Sequence, residues 1–265
     1  MSVWLAIPSA RPIAEAEQVL VKWIERGYKV HLWRDPAVNL MTEIDWAKRL
    51  GMTITWSEYP GYARAVNALC KSILERDPEA KWIVTGGDDV EPDPNKTAEE
   101  IAAECASYFA RLHAGPDAEP GVDLSTKSIR AALKGLADHT FGVMQPTGDP
   151  WRDVQGRIID RIAGSPWMGR EFCRRMNGGA GPLWPEYTHC FEDEELQLVA
   201  HKLGVFWQRS DLTHLHNHWA RQEKPRKIVK PDHLAEATSP EHWAKFKALF
   251  EQRRAAGFPG HEPIV

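Results

Sequence analysis

The strongest constraint is a rhythm in the first half of the chain. Short runs of strand-forming residues alternate with amphipathic stretches of helical spacing. VWLAIP (3–8) precedes IAEAEQVLVKWIERG, and GYKVHLWRDP precedes TEIDWAKRLG; MTITW precedes GYARAVNALCKSILERDPEA, and KWIVT precedes NKTAEEIAAECASYFARLH. A strand that must return parallel to its predecessor needs a crossover helix, so this alternation predicts an α/β fold, a mostly parallel sheet flanked by helices on both faces. The runs are nearly continuous in apolar residues, as strands buried on both faces must be. Further on, the Gly-, Pro- and acid-rich stretch 114–122 predicts a surface loop, and STKSIRAALKGLADH resumes helical spacing. FGVMQP and VFWQ read as strands, while FEDEELQLVAHKLG and SPEHWAKFKALFEQRRAAG read as helices. Between Thr147 and Tyr187 the many Gly, Pro, Trp and Arg residues suit an irregular binding surface rather than a second sheet-centred domain.

Composition narrows the partners. A chain of 265 residues accommodates one large α/β domain or two small ones, and its net charge of −4 supplies no global basic field, so phosphate groups would need local cations or a metal. Cys70, Cys105, Cys173 and Cys190 are far apart and lack CxxC spacing, which argues against a zinc knuckle or a disulfide framework and fits a reduced compartment. The N-terminal apolar run is short, lacks a charged leader and stops at Pro8; no later stretch approaches a membrane span. These features predict a soluble, cytoplasmic, unprocessed protein without a membrane partner.

One strand ends in unusual negative charge. KWIVT runs into GGDDVEPDPN, so Asp88 and Asp89 emerge at the carboxyl edge of a buried strand, where ligands of open α/β sheets bind. Two adjacent carboxylates repel each other, and a hard divalent cation relieves that cost while bridging to phosphate oxygens. Gly86 and Gly87 would let a bulky phosphorylated ligand approach the backbone. The competing reading is a solvated acidic turn, with Asp93 or Asn95 capping the next helix. Two aspartates alone hold a metal weakly, and SDLTHLHNHWAR offers a further ligand. If extended, this stretch points His214, His216 and His218 to one side; zinc or a plain polar surface strand are the alternatives, and the central His216 is the predicted metal ligand beside the two aspartates.

Taken in order, these pieces resemble a GT-A type nucleotide-sugar glycosyltransferase, similar to the large family 2 group, over most of residues 3–219. IPSARP resembles the start of the nucleotide pocket, bringing Pro8 to the donor. WRDP places Asp35 where the family contacts nucleobase or ribose, and GYARAVNAL maps Arg64 and Asn67 near the nucleotide or diphosphate. GGDDVEPD resembles the metal motif, although Val90 and Glu91 follow the pair where a spaced D-x-D is expected; Asp89 then takes the metal and Asp88 faces the ribose or the metal's waters. FEDEEL resembles the family's ED motif and maps the catalytic base onto Asp193, with Glu192 beside it. The resemblance implies a nucleoside diphosphate sugar donor, Mn²⁺ or Mg²⁺, and one GT-A-like domain over 1–265. Residues 1–113 form its nucleotide-binding half and 138–220 its acceptor and catalytic half, with a basic linker and helix over 221–265.

The chemistry needs two acidic sites, one for the departing diphosphate and one to deprotonate the acceptor hydroxyl. A carboxylate base implies single displacement with inversion. The same acids at a helix start are also electrostatically favourable without any catalytic duty. For the acceptor side, Trp167 or Trp184 would stack on a sugar or base, Arg170, Arg174 or Arg175 would meet phosphate, and Gly178, Gly179 and Gly181 would form a loop closing over the donor. The acceptor itself stays open: glycan, small molecule, or a hydroxymethylated base in phage DNA, with the basic stretch RQEKPRKIVKP either a solvated linker or a strip along a nucleic-acid backbone. Two further classes remain, a nucleotidyltransferase or other phosphoryl-handling enzyme and a non-catalytic nucleotide-sugar-binding module. A Rossmann dehydrogenase is disfavoured because no GxGxxG follows the first strand.

Overall fold

The computed structural model describes residues 1–36, 39–114, 139–152, 155, 157–159, 164–219 and 234–264. Strand β1 (Ser2–Pro8) leads to α1 (Ile13–Glu25), β2 (Lys29–Arg34) to α2 (Leu40–Leu50), and β3 (Thr53–Trp56) to α3 (Tyr62–Arg76). Then come β4 (Ala80–Val84), β5 (Val90–Glu91) and α4 (Ala98–Ala114). In the second half β6 (Val143–Pro146), the pair β7 (Trp151–Arg152) and β8 (Ile158–Ile159), β9 (Trp167–Gly169) and α5 (Arg170–Arg175) precede α6 (Glu192–Lys202). The chain ends with β10 (Phe206–Arg209), β11 (Leu215–His216), α7 (Leu234–Ala237) and α8 (Pro240–Ala255).

Seven strands form the main sheet in the order β10-β6-β9-β4-β1-β2-β3. All neighbours pair in parallel except β9, which runs antiparallel between β4 and β6. The predicted mostly parallel sheet is therefore present, and its strands VWLAIP, KVHLWR, TITW, AKWIV, VMQP and FWQR lie where the apolar runs place them. Strand β9 falls inside the stretch expected to be irregular. It is only three residues long, too short to show a period, and only its neighbours β4 and β6 define it.

Alternation within each strand divides the core in two. Val3, Leu5 and Ile7 face one cluster with Trp23 of α1, Trp46 of α2 and Ile101 of α4. Ala6 and Ile83 face the other, with Val66 and Leu69 of α3, Phe172 of α5, Leu196 of α6 and Phe250 of α8. Both faces of the sheet are thus helix-covered. The turn before α4 is capped by Thr97, whose hydroxyl accepts from Glu100 N while Glu100 Oε2 accepts from Thr97 N. Asp93 instead ties its own turn, accepting from the amides of Asn95 and Lys96 at 2.8 and 3.0 Å. The helix expected over 125–139 and the basic stretch 221–231 lie outside the described residues, His139 excepted. Among the described residues no helix is long and apolar enough to cross a membrane.

Candidate active site

The carboxyl ends of the parallel strands open into a cleft of about 1120 Å³. Ser9 after β1, Asp35 after β2, Asp88 after β4, Asp149 after β6 and Ser210 after β10 all reach it, as expected for an open α/β sheet. Pro8, Asp89, Glu192, Asp193 and His216 line it as well. Asp35, also on the rim, accepts a hydrogen bond from the Tyr59 amide at 2.8 Å.

The acidic turn is built from both sides. Asp88 accepts from Ser9 Oγ and from Arg11 Nε, each at 2.7 Å. The loop that carries those two residues is itself pinned by Arg34: its guanidinium grips the buried Glu43 carboxylate at 2.8–3.1 Å and donates to the carbonyl oxygens of Ser9 and Arg11. On the other side, β11 pairs antiparallel with β5, His216 opposite Val90, and this brings His216 Nε2 to 3.3 Å from Asp89 Oδ1. Trp23 supports the ribbon by donating its indole N–H to the Val90 carbonyl at 2.7 Å. Burial alone would raise the Asp89 carboxyl, but the His216 hydrogen bond and the charges of His216, His218 and Arg11 outweigh it and bring it down to about 2. Asp89 is thus an anion whose charge His216 and Arg11 partly meet. The void at Gly87 serves this carboxylate rather than a ligand, because a Cβ there would sit 2.3 Å from Asp89 Oδ1.

The three histidines of SDLTHLHNHWAR do not act as one row. His214 is buried; it meets Ser165 Oγ at 2.9 Å and Trp167 Nε1 at 3.4 Å, and desolvation holds it at about 3, a neutral core imidazole. His214 only borders the cleft from the core side, whereas the more exposed His216 and His218 stay together in it, ring centroids 5.1 Å apart.

Across the cleft, α6 begins with Glu192 and Asp193. Its entry is forced: Phe191 takes a left-handed φ of 73°, a conformation that costs a non-glycine residue of order 1–3 kcal/mol. Packing of its ring against Phe250 and Trp243, at centroid distances of 5.3 and 4.6 Å, holds it there. The turn delivers both carboxyls to the cleft. Burial drives Asp193 up from 3.8 to about 6, offset in part by the Glu194 N–H that it accepts at 2.9 Å. Glu192, buried and next to that charge, is raised well above the carboxylate range. Burial thus moves both carboxyls upward, Asp193 to about 6 and Glu192 well above the usual carboxylate value. One turn on, Glu195 is not part of the site; Arg253 of α8 grips it at 2.6–3.1 Å and Tyr187 donates to it at 2.7 Å.

Several expected contacts lie elsewhere. Arg64 and Asn67 do not reach the cleft but a separate hollow of about 560 Å³. Asn67 brackets the Leu183 backbone, donating to its carbonyl at 2.7 Å and accepting from its amide at 3.0 Å, and Arg64 donates to the Pro185 carbonyl. Both tie α3 to the loop before α6. Gly181 packs on Asn67, so the glycine loop faces that hollow and not the donor side. Arg170 satisfies the carbonyls of Leu74, Asp77 and Ala80; Arg174 and Arg175 pair with Glu171. Trp167 is core, and Trp184 lies against the Arg253 guanidinium, 3.5 Å from its ring centre. Ser9 and Arg11, which the stretch IPSARP contains without singling them out, reach the cleft because they follow β1 at the same edge as Asp88.

Fold and site together define an α/β protein with an acidic, histidine-flanked cleft at the carboxyl edge of a mostly parallel sheet. No protein-family model and no curated protein matches the chain. Solved structures with a similar chain path include S. aureus TarS, at 13% identity over 81% of this chain and 36% of that one, TM-score 0.47. TarS 1–349 in complex with UDP follows at 13% identity, 81% and 59% coverage, TM-score 0.45. Glucosyl-3-phosphoglycerate synthase from Mycobacterium tuberculosis, in complex with Mn²⁺, UDP and phosphoglyceric acid, is similar at 12% identity over 93% of this chain and 78% of that one, TM-score 0.44. The chain therefore spans about a third of the length of the first of these.

Proposed function

We propose that the protein is a metal-dependent, inverting glycosyltransferase that moves a sugar from a nucleoside diphosphate to an acceptor hydroxyl. One observation supports this above the rest: a cation-ready Asp89–His216 pair and a near-neutral carboxyl, Asp193, share one cleft at the sheet's carboxyl edge. The donor set suits Mn²⁺ or Mg²⁺. Among the described residues no cluster of three or more His, Cys, Asp or Glu is arranged to hold a metal; Asp89 and His216 would hold an ion here, and the rest of its shell would be left to substrate and water. Bound there, the ion supplies positive charge for the departing diphosphate.

The remaining work falls to this chain's own groups. Pro8, Ser9 and Asp35 border the donor end of the cleft, and Asp88, held by Ser9 and Arg11, shapes its floor. The Asp193 carboxylate takes the acceptor's hydroxyl proton as the acceptor oxygen bonds to the anomeric carbon, and the electron pair of the broken bond leaves on the diphosphate. A single base and a single displacement invert the anomeric centre. A nucleotidyltransferase would release pyrophosphate instead, and a binding module would release nothing.

The test pairs binding with turnover. Asp89→Asn and His216→Ala should each weaken Mn²⁺ binding, read by the paramagnetic resonance of the free ion, by about tenfold or more. Nucleoside diphosphate release should fall in parallel, and unchanged ion affinity in both variants would dismiss the metal site. A hydroxymethylated base in phage DNA is the acceptor to try first. Transfer to it should drop steeply with added salt, as counterion release requires; a flat response would assign a glycan or small-molecule acceptor.

A further inference from the structure

Arg11 lies against both carboxylates of the acidic turn. Its Nε lies 2.7 Å from Asp88 Oδ1 and an Nη lies 3.9 Å from Asp89 Oδ2. The three side chains are only 17%, 14% and 13% exposed, so little solvent screens the two carboxylates. Arg34 fixes the loop from behind through the carbonyls of Ser9 and Arg11, which aims the guanidinium by buried structure rather than chance. A single positive charge therefore offsets part of the pair's repulsion in the free protein, and an incoming doubly charged ion must compete with it.

We propose that Arg11 is a resident counter-cation that couples ion binding to nucleotide binding. This deepens the transferase reading and rests on it. Glu15 Oε2 also lies 3.8 Å from an Arg11 Nη but is 60% exposed and so solvent-screened; with Arg11 in place, a divalent ion alone adds two positive charges to carboxylates that are already partly neutralised. A diphosphate arriving with the ion restores the balance and offers the guanidinium fork a phosphate in place of Asp88, the geometry Arg binds best. Ion and nucleotide then help each other, reciprocally, because each binds better when the other's charge is present. Arg11 is the element that makes nucleotide-free metal a poor ligand and that a bound diphosphate draws away from Asp88.

The experiment measures affinities, not turnover. Mn²⁺ binding is read from the free-ion resonance, without nucleotide, in wild type, Arg11→Gln and Arg11→Lys. Nucleoside diphosphate binding is read by equilibrium dialysis at saturating Mn²⁺, using the tightest-binding of the common nucleoside diphosphates. Arg11→Gln should bind Mn²⁺ alone about tenfold more tightly, since a competing charge a few ångströms away is gone, and the nucleotide about tenfold more weakly. Arg11→Lys keeps the charge and loses the fork, so its Mn²⁺ affinity should stay near wild type while nucleotide weakens. The lysine variant carries the test if the glutamine variant melts early in chelator. Equal or weaker Mn²⁺ binding by a folded Arg11→Gln, or undiminished nucleotide binding by Arg11→Lys, overturns the proposal. Wild type that binds no Mn²⁺ with any nucleotide overturns the transferase reading as well, which separates the two failures.

Discussion

Replacing Asp193 by Asn should stabilise the protein while disabling it. Burial lifts this carboxyl from 3.8 to about 6, so the fold disfavours its ionised form. The full displacement corresponds to about 3 kcal/mol at about 1.36 kcal/mol per tenfold change in proton affinity. Asp193 retains partial solvent access and shares the perturbation with Glu192, so a realistic figure is about 1–2 kcal/mol. The sign follows from linkage: a raised folded-state value penalises the fold where the group is ionised, above about 6, and the penalty fades as pH falls toward 3.8. At about 2.1 cal/mol/K per residue, 265 residues unfold with an entropy near 0.56 kcal/mol/K, and the gain becomes a rise of about 2–4 °C in Tm. Calorimetry in chelator at pH 8 should show Asp193→Asn melting above wild type by that amount, and the gap should close as pH approaches 4. Turnover should fall by about 10²–10⁴ with donor affinity intact, the range for loss of a general base. A variant that melts at or below wild type at pH 8 would mean that the carboxylate is stabilised in place, and the base assignment would lose its physical ground.

Other outcomes follow from the same geometry. Arg253→Met strands Glu195, a carboxylate only 4% exposed, and should cost about 3–5 kcal/mol; calorimetry should register a fall of about 5–9 °C in Tm. Gly87→Ala puts a methyl against Asp89 Oδ1 and should lower Mn²⁺ affinity with little change in Tm, a result that ion titration and a melt check together. Arg64→Ala should leave nucleotide affinity unchanged in equilibrium dialysis, because Arg64 faces the second hollow, whereas Asn67→Ala should cost about 1–3 kcal/mol of stability in urea unfolding by orphaning buried Leu183 backbone groups.

Much of the scaffold is readable in the chain because its signals are local. The strand runs that became β1, β2, β3, β4, β6 and β10 are long or apolar enough to declare their period, and the acids after β4 and at the start of α6 stand at element ends where function collects. What stayed hidden is pairing across sequence distance. His216 meets Asp89 only through the two-residue ribbon of β5 and β11, which no periodicity announces. His214, two positions away, is buried at the cleft's wall against Ser165 and Trp167, so three alternating histidines gave one spacing and two environments. The arginines misled for a related reason. Arg64, Arg170 and Arg175 carry the side chain expected of a phosphate site, yet each satisfies a backbone carbonyl or a carboxylate of the fold, a role set by which helix end or acid lies opposite.

The amino-acid sequence by itself determined the layer order, the parallel crossovers and the strand ends where a ligand can sit, because hydrophobic period and helix punctuation act within a few residues. Only the tertiary structure decided which charges face each other. Arg11 against Asp88, His216 against Asp89, and the buried Asp193 owe their properties to desolvation and to neighbours many tens of residues away, and electrostatic energy at such sites depends on distance in space, not along the chain.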